Sequence, residues 1–197
     1  MHAPPRLART CVALLVLAWA AGAVAGQAAL KAGAYDPPAA APELSLPASD
    51  GGTLSLARYR GRVVLLEFGY TSCASVCPTT LATLAQARKR LGADAKRVQV
   101  VFVTVDPGRD TVKQLHAYLQ AFDPGFVGGT GTEAQLAAVR RRYGVVATRQ
   151  ELGDGYYAMA HSSSVYLIDR HGRLRGMMPY GRPAADYVHD LQALLAE

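Results

Sequence analysis

The alternation of apolar and polar positions along this 197-residue chain divides it into strands and helices around one corner. Val63-Val64-Leu65-Leu66-Glu67-Phe68 is a nearly continuous apolar run, which predicts a central strand buried on both faces. Residues 78–91 follow as a helix with Leu81, Leu84 and Leu91 on one side. Pro78 suits its first turn, Arg88-Lys89-Arg90 its negative end, and Gly92 stops it. Residues 98–105 predict a second buried strand, and Asp106-Pro107-Gly108 a turn. Asp110 is then expected to cap an amphipathic helix over 111–122, with Val112, Leu115, Tyr118 and Leu119 inward. A short strand at 126–128, a helix over 132–143 ended by Gly144, and a surface loop or hairpin at 153–159 come next. Residues 165–168 and 174–178 read as an antiparallel pair about a turn at 169–172, and 183–195 as a closing helix. Near the start, Leu44 and Leu46 answer Leu54 and Leu56 across Asp50-Gly51-Gly52, the pattern of a β-hairpin. The elements together give an α/β fold with a mixed central sheet and helices on both faces.

Half of the residues are apolar, enough for one domain with a proper core. The formal charge of +6 comes from scattered basic residues, without a Lys/Arg stripe interleaved with aromatics, so nucleic-acid binding is not expected. Residues 1–25 have the layout of an export signal or an N-terminal membrane anchor. Arg6 and Arg9 precede the short apolar run 11–25, and Ala23-Val24-Ala25 offers a cleavage site. Either way the remainder lies outside the cytoplasm: periplasmic, or anchored to the outer face of the inner membrane. The Ala/Pro-rich residues 26–42 read as a linker, leaving 43–197 as the folded domain.

Cys11 falls inside the signal and lacks the setting of a lipid-attachment cysteine, so the mature chain keeps Cys73 and Cys77. Both sit where a strand ends and a helix begins. Unpaired backbone N–H groups and the positive helix end stabilise a thiolate there. A structural disulfide is the plainer use of the pair. Closing so small a ring removes only about 2 kcal/mol of unfolded-chain freedom, and i, i+4 spacing strains the bridge. A strained, easily reduced bridge fits a redox-active disulfide better. The three intervening residues also let both sulfurs face one metal ion, which then needs a third ligand.

Five histidines are available. His2 goes with the signal, His116 and His189 lie within helices, and His171 lies in a turn. The order of elements resembles thioredoxin-like proteins. In that fold the loop before the strand at 165–168 faces the cysteines and usually carries a cis-proline. Ser163 falls near that position here, and His161 just before it, so this loop presents an imidazole to the sulfurs. Two thiolates and an imidazole suit Cu(I), and can hold Cu(II); Zn(II) prefers a fourth ligand. Asp106 is the nearest acidic candidate for a supporting role behind the ligands, although turn residues of this kind are usually structural.

Phe68-Gly69-Tyr70-Thr71-Ser72-Cys73, Val76-Cys77-Pro78, Val105-Asp106-Pro107 with Asp110-Thr111, and His161-Ser162 with Tyr166-Leu167 and Asp169 resemble the Sco/SenC family of copper-binding cytochrome c oxidase assembly factors. The family's Pro-Asp after the first cysteine is Ala74-Ser75 here. The resemblance implies a thioredoxin-like fold, copper held by Cys73, Cys77 and His161, and delivery to the dinuclear copper centre of the oxidase subunit. Loading would then depend on a thiol reductase that keeps the pair reduced. The competing expectation is a thiol-disulfide oxidoreductase acting on the cysteines of that copper site. A peroxide-reducing enzyme is disfavoured, because Pro-x-x-x-Thr-x-x-Cys does not precede Cys73.

Overall fold

The computed structural model describes residues 29–197 and, apart from these, His2. The expected signal or anchor at 1–25 lies outside them, His2 excepted. The central strand is β4 (Val63–Gly69), with all seven residues buried. β5 (Val98–Thr104), equally buried, pairs parallel with it, and β6 (Val127–Gly129) pairs parallel with β5. On the other side β9 (Val165–Ile168) runs antiparallel to β4, and β10 (Arg173–Met178) antiparallel to β9. Burial on both faces is why β4, β5 and β9 appear in the sequence as apolar runs.

The helices are α1 (Val76–Arg90), α2 (Val112–Gln120), α3 (Glu133–Tyr143) and α4 (Ala184–Ala196). α1 packs on α4. A Cβ at Gly69 would meet Cys77 of α1 and Phe102 of β5, and the Phe102 ring meets Tyr118 of α2, so these helices share one face of the sheet. The opposite face carries α3, whose Tyr143 ring packs at an angle against Phe68 and edge-on to Tyr166. The expected N-terminal hairpin, β2 (Leu46–Pro47) and β3 (Thr53–Leu54), lies on that side too, with Leu46 and Leu54 against Gly129. The thioredoxin-like, mixed-sheet α/β architecture is therefore the one the element order predicts.

Three local expectations change. Part of the supposed linker is β1 (Gly33–Ala40), the edge strand of the sheet, paired antiparallel with β10. Pro37 and Pro38 fall in the irregular stretch between the paired residues Ala34 and Ala39, where missing N–H donors break no ladder bond. The chain entering β1 is tied to α4, since the backbone N–H groups of Lys31 and Ala32 donate to the buried Asp190 carboxylate at 2.7 and 2.9 Å. Asp110 does not cap α2. Thr111 does, in a reciprocal box with Gln114. Val112 consequently faces solvent, while Leu115 and Leu119 are buried as expected.

The surface loop or hairpin expected at 153–159 is a hairpin, and a longer one: β7 (Ala147–Gly153) with β8 (Tyr156–His161). It forms its own two-stranded sheet, and neither strand pairs with the central one.

Candidate metal and thiol site

β4 delivers its C-terminal end to a tight corner. Cys73 N–H donates to the Tyr70 carbonyl at 3.2 Å, and α1 begins three residues later. Asp110 braces this corner. Its fully buried carboxylate accepts from the Thr71 N–H at 3.0 Å, the Thr71 hydroxyl at 2.6 Å and the Thr104 hydroxyl at 2.6 Å. Burial pushes the Asp110 carboxyl upward in pKa, and these donors only partly offset that.

The two sulfurs occupy different environments. Cys77 lies in the first turn of α1 and is fully buried. Burial, the bond to Cys73 and the nearby Glu67 all raise its thiol pKa, far above the ordinary range. Cys73 is half-buried, and Cys77 N–H donates to its sulfur at 3.3 Å. Burial alone would raise the Cys73 pKa. The bonds from Cys77, Ser75 and Val76 at the helix start outweigh it, and the net direction is down. Both are free thiols in this structure.

His161, the last residue of β8, comes across to this pair. Its Nδ1 lies 2.8 Å from the Ser162 carbonyl oxygen, which can only accept, so Nδ1 carries the proton. In the neutral ring Nε2 then keeps its lone pair, and it sits 3.6 Å from the Cys77 sulfur. The Tyr70 ring meets the imidazole edge-on, with centroids 5.8 Å apart. The donor atoms of Cys73, Cys77 and His161 all lie within 4.8 Å of one another, and no other such group of three occurs among the described residues. Two soft sulfurs and an imidazole nitrogen in one small cluster can bind a soft metal ion, and the sulfurs alone can exchange electrons as a dithiol.

Asp106 stays outside this cluster. It is buried, and its carboxylate is taken by Arg109 Nε and by the Tyr157 hydroxyl, the latter at 2.9 Å. His116 and His171 are exposed, and His189 is engaged with Asp190 at 2.9 Å.

Glu67 carries a buried carboxyl that the sequence reading passed over. It is only 2% exposed, on the same face of β4 as Gly69, and its Oε2 has no hydrogen-bond partner among the described residues. Burial, and secondarily the Cys73 sulfur, raises its pKa well above the usual carboxylate value. A single acid within an apolar run was the available signal.

A thioredoxin-like domain with a thiol pair at a helix start, faced by an imidazole, defines a particular class within that fold. The comparisons with known proteins make it specific: the model of the SCO1/SenC family matches residues 33–196, and the chain belongs to that family. It is 35% identical over 138 residues to a "putative copper-binding protein" of Stutzerimonas stutzeri, covering 70% of this chain and 68% of that protein. It is 36% identical over 143 residues to the mitochondrial SCO2 homolog of Mus musculus, covering 71% of this chain and 56% of that protein. The matches thus span between about half and two thirds of these relatives. Among solved structures, Bradyrhizobium japonicum ScoI with copper bound superposes with a TM-score of 0.74 at 34% identity, covering 80% of this chain and all of that one.

Proposed function

We propose that this protein is an exported copper carrier that binds copper through Cys73, Cys77 and His161 and passes it to the dinuclear copper centre of cytochrome c oxidase during assembly. The observation that carries the proposal is the three-donor cluster, with Nε2 of His161 3.6 Å from the buried Cys77 sulfur. Membership of the SCO1/SenC family and the copper-containing structural relative support the choice of metal. Soft thiolates favour Cu(I) over harder ions.

Copper is cargo here, so the site has to release it. Cys73, half-exposed and with its thiol pKa lowered, is the donor an incoming partner meets first. Cys77 loses its thiol proton to solvent when it binds. Thiolates of the partner then replace Cys73 and Cys77 one at a time, and each displaced sulfur is reprotonated. Oxidation to a Cys73–Cys77 disulfide removes two ligands together, so a thiol reductase has to keep the pair reduced. The location follows from the expected export signal: periplasmic, or held at the outer face of the inner membrane by the N-terminal segment. No helix among the described residues is long and apolar enough to cross a membrane.

The unlike pair of thiols also favours a second role. The Cys73 thiolate can attack a disulfide in the oxidase copper site, displacing one partner thiolate and leaving a mixed disulfide. The Cys77 thiolate then resolves it. Two electrons pass to the partner, and the Cys73–Cys77 disulfide forms. One experiment separates the roles. The reduced protein is titrated with Cu(I) without oxygen, then mixed with the metal-free copper-binding fragment of the oxidase subunit in its dithiol or disulfide form. A carrier retains a single equivalent and transfers it to the dithiol fragment, and the oxidised protein retains none. Reduction of the disulfide fragment without copper retention would replace the carrier reading with the reductase one.

A further inference from the structure

The ligand-bearing hairpin is attached to the domain in an unusual way. Among the described strands, β7 and β8 pair only with each other, and most of their residues are exposed or half-exposed. Met159 and Ala147 pack against the edge of the core and hold the root of the hairpin. Beyond the contact of His161 with Cys77, the bonds to the loop after β5 run through Tyr157, four positions before His161. Its hydroxyl donates to Asp106 Oδ1 at 2.9 Å, and its carbonyl accepts from Arg109 Nη1 at 3.1 Å. The Arg109 guanidinium stacks over the Tyr157 ring at 3.7 Å and reaches the Tyr70 ring at 5.6 Å. Tyr70 is the ring that meets His161 edge-on.

The body side of this attachment is fixed. Asp106 is buried, its N–H donates to Thr104 Oγ1 at 2.9 Å, and its carbonyl accepts from Asp110 N–H at 2.9 Å. Arg109 is also bonded to Asp106 through Nε, so the fork is aimed before the hairpin arrives. A carboxylate–guanidinium pair on the loop between β5 and α2 thus grips a tyrosine on an arm whose strands stand outside the central sheet.

Resting on the three-ligand reading above, the geometry points to Asp106, Arg109 and Tyr157 as a clasp that positions His161 at the sulfur pair and thereby sets how long copper is retained. These are positioning residues and touch no metal. The clasp acts on one ligand only. Opening it frees the imidazole and leaves the two sulfurs in place for stepwise exchange with the partner's thiolates, so the ligands need not all dissociate together.

The test is a double-mutant cycle on the full protein, using Tyr157→Phe, which removes the hydroxyl and keeps the ring, and His161→Ala. Cu(I) release to an excess of a chromogenic chelator is timed, and amide exchange over β8 is followed in the metal-free protein. Tyr157→Phe is expected to speed release on the order of tenfold, the lower end of what supporting partners of a metal ligand contribute. It should also speed β8 exchange while leaving exchange in β4 unchanged. In the His161→Ala background it should add nothing to the release rate. Arg109→Lys, which keeps the charge and loses the fork, provides a second variant should Tyr157→Phe lower the thermal midpoint.

If His161→Ala itself leaves release unchanged, the three-ligand reading fails and the clasp fails with it. If His161→Ala speeds release but Tyr157→Phe and Arg109→Lys do not, or if they act equally in the His161→Ala background, the clasp alone is overturned.

Discussion

The site draws its donors from two regions built on opposite principles. The sulfur corner grows out of the most buried strand of the domain and is pinned by Asp110 and by the first turn of α1. The histidine arm is a separate two-stranded sheet with solvent along most of its length. Packing fixes the first region to within the tolerance of a core, whereas the second is held by a few polar contacts and its root. For the proposed carrier, the contrast sets two donors seated on a packed corner against one carried by a lightly attached arm.

The largest effect expected from breaking the contrast is on the rigid side. Cys77→Ser replaces a soft thiolate with a poorly ionised hydroxyl, and Cu(I) retention measured against a competing chelator should fall by far more than the roughly 100-fold upper range seen for losing a supporting partner. A second substitution probes the tightness of the same corner. In Gly69→Ala the new Cβ would lie 2.7 Å from the Phe102 ring and 2.9 Å from the Cys77 sulfur. Denaturant unfolding should show a loss of about 1–3 kcal/mol, the usual cost of overpacking a core.

The next effect is a slope. Glu67 is protonated in the folded state at pH values where it ionises in the unfolded chain, because its folded pKa is raised. The unfolded state then binds fewer protons, so this group's contribution is fully present below the ordinary carboxylate range and is lost as pH rises toward the folded pKa. Glu67→Gln should flatten that decline, so the variant gains on the parent as pH rises above the ordinary carboxylate range in urea unfolding of the metal-free protein. The smallest effect belongs to the arm. Leu152, 67% exposed near the hairpin tip, should cost under about 0.5 kcal/mol when changed to Ser. A loss as large as that of Gly69→Ala would mean the arm is as well packed as the corner.

The same contrast explains what the sequence made legible. β4, β5 and α1 announce themselves, because burial on two faces or one produces apolar runs and helical spacing. The cysteine pair was readable because it sits at a strand-to-helix junction, and His161 because a thioredoxin-like order turns its segment toward that junction. β7 was not readable: Thr148-Arg149-Gln150-Glu151 is exposed throughout and carries no two-residue apolar period. β1 was hidden by Pro37-Pro38, which belong to a strand only because its irregularity falls on them. Asp110 looked like a cap because local spacing cannot show that Thr71, 39 residues earlier, binds its carboxylate. Asp106 meets Tyr157 across 51 residues, again a tertiary matter.

The central claim is that one imidazole on the arm and two sulfurs on the corner share a single copper ion. X-ray absorption on the Cu(I)-loaded protein and on its His161→Ala variant tests it most directly. The account predicts two sulfur scatterers and one imidazole in the parent, with the imidazole signal alone lost in the variant. An imidazole signal that survives His161→Ala, or a parent spectrum with sulfur only, would contradict it.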